Sequence, residues 1–462
     1  MIPKFENDTI GAISTPPGEG GIAVIRMSGP RAVFIVQKVF RGKGDVSLSA
    51  SHTAHHGWIF DRSESIDEVV VTVFRAPNSY TGEDVVEVSC HGGTFVGRCI
   101  LELFIRNGAR LANPGEFTQR GFLNGKMDLS QAEAVADLIR AKTEASRRVA
   151  AYQLEGRLSE RLAGMREMLI KACSYLEAEL DFSEEDAVFI SREELVQQLR
   201  SIRCEFQTLL QSYDRGRACR EGIRMVIVGR PNVGKSSILN SLLERERAIV
   251  SEMPGTTRDT IEDVLDIEGL LFIVTDTAGL SKVENPIEKE GVRRTEMSLE
   301  KADLVLFVLD GSQPLMADDE AIVRRLKKLS AITIPCINKI DLKQKIDIHK
   351  VVEWMPETEA VKVSALKREG IPRLIAALKA TALCGGLPEE GEVVLTRMRH
   401  RDLIARAQKY ILQAEFSIKK EMSQEFIALD LRGALDALGE ITGQTTADDL
   451  LSRIFSDFCI GK

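Results

Sequence analysis

The sequence predicts a multidomain chain of mixed α/β and α class: an α+β front end, a helical domain, and an α/β domain inserted into that helical domain. Three observations predict it. Short β-rich runs fill the first part of the chain, and a helical periodicity without proline follows. A strand–loop–helix repeat then interrupts before the helical texture returns. The 462 residues are enough for two to four domains of ordinary size. With 44% hydrophobic and 28% charged residues, they supply packed cores.

Residues 1–122 alternate β-rich runs ("GIAVIRMSG", "EVVVTVFRA", "VVEVSC") with Gly/Pro turns ("TPPGEGG", "NPGE"). Arg26 and Glu87 set charges inside two of these runs; a salt bridge, edge exposure or a ligand site would account for each. His52, His55 and His56 lack neighbouring Cys or acidic ligands at metal spacing, so no metal is predicted there. Residues 123–221 are the first helical part. Within it, Ser191 followed by Glu194 predicts a capping box that opens a helix after the acidic turn "DFSEEDAVFIS". Residues 222–383 carry the strand-length runs "IRMVIVG", "LFIVTDTAG", "DLVLFVLDG", "AITIPCINK" and "VKVSA" between helical segments, the mark of a mainly parallel sheet. Residues 384–462 return to helix through "RHRDLIARAQKYILQAEFSI". One helical domain interrupted by the α/β domain is the economical arrangement, because domain ends tend to lie close together. Two independent helical domains would give the same texture.

Composition excludes several classes. Eight cysteines include no C-x-x-C pair, which argues against a zinc knuckle or thioredoxin-like motif and fits a reducing compartment. The first residues lack a basic segment followed by an apolar run, and "LVLFVL" at 304–309 is only strand-sized. The reading is cytoplasmic, with no membrane contact. A net charge of −8 argues against a generally basic nucleic-acid binder while leaving room for a local patch.

"GRPNVGKS", Gly229–Ser236, follows a strand and opens a helix, so its backbone N–H groups can converge on phosphates at a helix N-terminus. Asn232, Val233, Gly234, Lys235, Ser236 and Ser237 are the candidate phosphate-loop contacts, with Lys235 on the β/γ-phosphates and Ser236 on Mg²⁺. "NKID" supplies Asn338, Lys339 and Asp341. A carboxylate there would accept from guanine N1–H and its exocyclic amine, donors that adenine lacks, so GTP is predicted. Ser364 and Ala365 of "SAL" fit the accompanying base loop. Thr257 of "PGTTRD" is the candidate switch ligand of Mg²⁺, Asp276 of "DTAG" would hold Mg²⁺ through a bridging water, and Thr277, Ala278 and Gly279 are candidate nucleotide contacts in a stretch that looks like a γ-phosphate-sensing loop. Leu280 occupies the position where many GTPases carry a water-orienting Gln.

These motifs together resemble the translation-factor-related GTPases in which a hydrophobic residue replaces that Gln. "DTIGAISTPPGEGGIAVIRMSG", "CHGG", "NPGEFTQRGFLNGKMDLSQAEAV" and the closing "CIGK" resemble, over residues 8–462, the MnmE/TrmE family of tRNA-uridine-modification GTPases. The resemblance implies a Ras-like P-loop GTPase domain and an amino-terminal domain of tetrahydrofolate-binding type. It implies a K⁺ ion serving as an arginine finger would, held by Asn232, Ser251, Met253 and Thr256, with Ser251 and Thr256 also at the nucleotide. Glu288 would polarise the attacking water; Glu284 and Glu290 are its neighbours in sequence, and a solvated acidic face would account for all three. Arg26, Glu87, Lys126 and Lys462 would hold a 5-formyl- or methylene-tetrahydrofolate, with Lys462 placed near a partner subunit's site and Cys459 beside it. The implied assembly is a homodimer working on tRNA with an FAD-dependent, MnmG-like partner that carries the flavin. No flavin motif and no strongly basic tRNA face is visible in the chain, which assigns the redox chemistry and much of the RNA contact to that partner. A ribosome-assembly GTPase switch, which shares the same GTPase motifs, is the alternative; it would append an RNA-binding module.

Overall fold

The computed structural model describes residues 8–181, 191–246, 262–276, 297–329, 331–382, 386–445 and 448–462. The chain divides into two compact units. The first comprises Met1–Ala136, Ser159–Ala163 and Leu435–Lys462, and the second Asp137–Leu158 and Gly164–Ala434.

The first unit is built on a seven-stranded sheet. Its elements run β1 (Ile10–Ile13), β2 (Ile22–Ser28), α1 (Ala32–Val39), β3 (Phe40–Gly42), β4 (Thr53–Asp61), β5 (Glu64–Phe74), β6 (Val85–His91), α2 (Thr94–Arg106), β7 (Arg110–Leu111) and α3 (Glu116–Leu123). The strand order is β3-β4-β5-β6-β2-β1-β7. Alternation along β2 and β6 sends Ile25, Met27, Val86 and Val88 into the core against Ile35, Ile100 and Phe104. Each such fully buried side chain contributes about 1.5–3 kcal/mol. The opposite register positions carry Arg26 and Glu87, which are Cα partners across β2 and β6.

Polar chemistry also holds this unit. Arg120, only 1% exposed, donates to Asp8, Glu83 and Glu116. Arg110 reaches the same Glu116 and Asp8. A buried guanidinium is tolerated only when its donors are met by such acceptors.

The second unit opens with helices. After α4 (Leu129–Arg140) come α5 (Glu144–Leu154), α6 (Arg157–Asp181) and α7 (Arg192–Glu221). Helix α7 starts with the capping box expected from the sequence: Glu194 N donates to Ser191 Oγ at 3.2 Å, and Ser191 N donates to Glu194 Oε2 at 3.1 Å. A six-stranded sheet follows in the order β13-β12-β11-β8-β10-β9. Its members are β8 (Ile223–Val228), α8 (Lys235–Glu246), β9 (Glu262–Ile267), β10 (Leu270–Asp276), β11 (Leu304–Asp310), α9 (Ala317–Leu326), β12 (Ile332–Asn338), α10 (Ile348–Trp354), β13 (Val361–Lys362) and α11 (Ile371–Ala382). Only the β9–β10 pair is antiparallel. Every residue of β11 is buried, as a strand covered on both faces must be.

Helices α12 (Met398–Lys419) and α13 (Gln424–Thr442) come next, and α12 packs along α7. The two helices bracket the α/β sheet in sequence and touch in space. Helix α14 (Asp448–Ser456) returns to the first unit and packs on α3. No described helix is long and apolar enough to cross a membrane.

Candidate nucleotide site and a second ligand site

In a parallel sheet, ligands meet the loops beyond the carboxyl ends of the strands. The phosphate-loop motif lies there, between the end of β8 at Val228 and the start of α8 at Lys235. Gly234 has φ +98°, and a Cβ on it would sit 2.2 Å from Asn338 Nδ2. Glycine is therefore required on both counts. Asn232 also adopts a left-handed conformation, at φ 62°, which Asn tolerates better than most side chains. Lys235 Nζ, well buried, donates to the carbonyls of Gly229 and Arg230 at 3.0 and 3.1 Å. The ammonium thus lies over the concavity where phosphate oxygens would take over its hydrogen bonds.

The candidate base-reading residues are tied to this loop. Asn338 Nδ2 donates to Val233 O at 2.9 Å, and its Oδ1 accepts from Ala365 N at 3.1 Å. One side chain thus fixes the phosphate loop and the "SAL" loop relative to each other. Lys339 Nζ donates to Asn232 O at 2.8 Å and to Asp310 Oδ2 at 2.7 Å. Burial pushes the Asp310 carboxyl up, but hydrogen bonds from Lys339 and Ser312 outweigh it and hold it below its ordinary value. Asp341 Oδ1 accepts from Ser364 Oγ at 2.6 Å, and that bond holds its carboxyl below the ordinary range. The carboxylate is therefore ionised and oriented near neutral pH, as an acceptor for two ring donors needs to be. Ser236 and Ser237 lie in the first turn of α8, the place from which a hydroxyl can reach a phosphate-bound Mg²⁺.

Strand β10 ends at Asp276, whose register partner is Ile227 on β8, just before the phosphate loop. Its side chain lies outside the described residues, as do Ser251, Met253, Thr256, Thr257, Thr277, Ala278, Gly279, Leu280, Glu284, Glu288 and Glu290. The described part of the candidate site accordingly comprises the loop at 229–236 and the residues tied to it around Asn338, Asp341 and Ser364.

Two supports were missed at the level of sequence. Arg230 Nε donates to Asp319 Oδ1 at 2.8 Å, with Asp319 fully buried at the start of α9. This clamps the second residue of the phosphate loop. Asp310, at the end of β11, orients Lys339. Asp310 had a signal, a carboxylate closing an apolar strand; Asp319 read only as one of several acids in a helix's first turn.

The first unit holds a second constellation. Arg26 Nε donates to Glu87 Oε1 at 2.8 Å, so the salt bridge between them exists. It does not saturate the guanidinium, because Arg26 Nη1 is buried without a hydrogen-bond partner among the described residues. The rings of Tyr80 and Phe117 lie 5.3 and 5.8 Å from the guanidinium carbon, and Lys462 Nζ is 5.8 Å from the Tyr80 ring. Burial pushes the Lys462 ammonium down and neighbouring Arg26 pushes it further, against the pull of Glu87. Tyr80 and Thr118 share a hydrogen bond of 2.9 Å. An orphaned buried donor beside a second, partly desolvated cation fits an anionic or acceptor-rich ligand such as a folate.

Lys126 lies beside the segment that leads to Tyr80. It is exposed and donates to Pro77 O at 3.1 Å, on the loop that carries Tyr80. Lys462 sits at the site of its own chain, held by Gly461 O accepting from Ser14 Oγ at 3.2 Å and Cys459 O accepting from Gly115 N at 3.4 Å. Cys459 itself is exposed. His52, His55 and His56 bond to Ser51, Thr53 and Glu68 respectively.

Comparisons with known proteins agree over the whole chain. Residues 9–126 match the family model described as the GTP-binding protein TrmE N-terminus, and residues 129–459 match the MnmE helical domain. The tRNA modification GTPase MnmE of Natranaerobius thermophilus is 43% identical over 457 residues, covering 98% of this chain and 99% of that protein. That of Carboxydothermus hydrogenoformans is 44% identical, with 98% and 99% covered, and that of Clostridioides difficile 41%, with 99% and 100% covered. Among solved structures, Aquifex aeolicus Era is 30% identical over 41% of this chain and 67% of that one, with a TM-score of 0.30. On the full-length identities and the two family models, the chain belongs to the MnmE family of tRNA modification GTPases.

Proposed function

We propose that this chain hydrolyses GTP in the service of tRNA modification, and that the hydrolysis is stimulated by K⁺ and uses Glu288 as the residue that orients water. The observation that carries the nucleotide part is the Asn338 bridge. It joins the phosphate loop at Val233 to the base loop at Ala365, while Ser364 orients the Asp341 carboxylate. Such an arrangement discriminates guanine and presents phosphates to Lys235 and Ser236 together. When bound, Mg²⁺ at Ser236 and Thr257 and K⁺ at Asn232, Ser251, Met253 and Thr256 would offset the charge that develops on the transferring phosphoryl group. The left-handed backbone at Asn232, fixed by Lys339 on its carbonyl, supports a side chain presented away from the loop.

The wider reading keeps four segments: 1–122 as a tetrahydrofolate-binding and dimerisation domain, 123–221 and 384–462 as one helical domain, and 222–383 as a GTPase domain inserted into it. Arg26, Glu87 and Lys462, with Lys126 at the rim, would bind the folate. The chain would work as a homodimer with an FAD-dependent partner to add an aminomethyl-type group, such as carboxymethylaminomethyl, at C5 of a wobble uridine. The contact of α7 with α12 across the intervening sheet supports the insertion, and the unsatisfied Arg26 Nη1 supports the ligand site. Nothing among the described residues favours the ribosome-assembly alternative.

The test is GTP turnover of the full chain in KCl and in NaCl at equal ionic strength, with Glu288→Ala beside it. Faster turnover in KCl, lost in the variant while GTP still binds, is the expected result. Equal rates in the two salts would sink the cation assignment, and an unaffected variant would sink the Glu288 assignment.

A further inference from the structure

RNA presents a dense row of phosphates, and a chain of net charge −8 repels it on average. An RNA contact on this chain must therefore be a local concentration of cations. One helix supplies it. Between Arg397 and Lys420 there are seven basic residues against two acidic ones; Arg397 and Arg401 are already paired with Asp137 and Asp402, while Lys409, Lys419 and Lys420 are exposed. The apolar side of α12 is occupied: Leu403, Ile404, Ala407, Ile411, Ala414 and Ile418 are buried. The opposite side is open, and Lys409, Phe416 and Lys420 recur on it at helical spacing.

Three features of this face go beyond ordinary helix decoration. Lys409 and Lys419 have no ion-pair partner among the described residues, and neither does Arg200 across the groove on α7. Lysines in a last turn offset the helix dipole, but Lys409 lies mid-helix, where that effect has faded. Phe416 is 57% exposed, with the Lys420 ammonium 5.9 Å from its ring. It borders a groove of about 380 Å³ floored by Leu412 and Met422. The acid in that groove, Asp430, is engaged by the Ser417 hydroxyl. On the other flank, a larger groove of about 930 Å³ brings Arg200 beside Lys419, while its Arg192 and Arg203 are already paired with Glu421 and Glu415.

We propose that the open face of α12, with Lys409 and Lys420 beside exposed Phe416 and with Lys419 and Arg200 on its other flank, is a docking surface for the substrate tRNA. The lysines would track the phosphate backbone, and Phe416 would stack an unpaired base over the Leu412–Met422 groove. A protein partner fits the face less well, because lysine is depleted from the centres of protein interfaces. The inference deepens the tRNA-modification reading and rests on it.

The test uses the full chain and an unmodified tRNA transcript with a wobble uridine, with binding measured across a KCl series. Lys409→Gln/Lys419→Gln/Lys420→Gln is expected to weaken binding roughly tenfold or more and to flatten the log–log salt slope by about 2. Phe416→Ala is expected to weaken binding several-fold without changing the slope, since stacking is not ion release. The triple Lys→Arg variant should restore both, and GTP turnover should be unchanged throughout. Wild-type affinity and slope in the Gln variant would overturn the assignment of this face while leaving the tRNA reading intact. A wild-type chain with no salt-dependent tRNA binding would overturn it too, and would leave the RNA contact to the partner protein. Intact tRNA binding with lost capture of the flavoprotein partner would make the face a protein interface instead.

Discussion

At the scale of single residues, Asp341 is the proposed reader of guanine. The Ser364 hydroxyl both orients the carboxylate and keeps it ionised. Exchanging one carboxylate oxygen for an amide nitrogen sets a donor against the guanine donors. Asp341→Asn is therefore expected to weaken GTP binding on the order of 100-fold or more. The same variant should gain affinity for xanthosine triphosphate, whose C2 carbonyl can accept from the new amide. Titration of both nucleotides checks it; undiminished GTP affinity would remove Asp341 from the base pocket. This residue was legible because its motif follows a strand and names its own chemistry. The supports of the phosphate loop, Asp310 through Lys339 and Asp319 through Arg230, were harder to read, because what makes them matter is burial, and burial is a property of the packed chain.

At the scale of elements, the sheet of the first unit depends on an ion network that closes one end of it. Arg120 on α3 joins Asp8, just before β1, to Glu83, just before β6. Burial would raise the carboxyls of Asp8 and Glu116, but hydrogen bonds from Arg110 and Arg120 outweigh it and hold both below their ordinary values. A carboxyl depressed in the folded state contributes stability that is complete above its unfolded pKa and is lost as pH falls through its folded one. The first unit should thus hold its stability down to about pH 4 and lose it progressively below. Arg120→Met keeps a similar volume but leaves Asp8 and Glu116 with Arg110 alone and takes from Glu83 the cation it pairs with. It is expected to cost about 3 kcal/mol at neutral pH and to move the acid limb upward in pH. Urea unfolding between pH 3 and pH 7 measures both, and an unshifted acid limb would mean that Arg110 alone sustains the network. None of this network was visible in sequence, since its members are spread from residue 8 to residue 120 and only the fold assembles them. The parallel sheet of the second unit, by contrast, was legible strand by strand, because doubly covered strands write themselves as unbroken apolar runs such as Leu304–Asp310. The basic face of α12 was hidden for the opposite reason: a net charge summed over 462 residues averages away a stripe on one helix.

At the scale of the whole molecule, the two ends of the sequence build one unit. Helix α14 packs on α3, and Gly115 shows how closely: a Cβ there would sit 2.5 Å from Phe455 O. The closing residues then run along Ser14 to bring Lys462 beside Arg26 and Tyr80. Residues 1–122 read as a self-sufficient domain in sequence because their β-rich texture ends there, and texture does not report which distant segment covers a face. The buried surface of Phe455 and Phe458 belongs to the same structure, so cutting the chain at residue 122 exposes the apolar side of α3 that they cover. The isolated segment is therefore expected to unfold at lower urea than the first unit does within the full chain, and to bind 5-formyl-tetrahydrofolate more weakly. Removing only residues 459–462 from the full chain separates the two effects. That truncation should lower folate affinity through the loss of Lys462, leave GTP turnover unchanged, and barely move the unfolding midpoint, because α14 remains in place. Calorimetric titration of the three proteins with the folate decides the matter: equal affinities would show that the tail neither completes the site nor contributes a ligand to it.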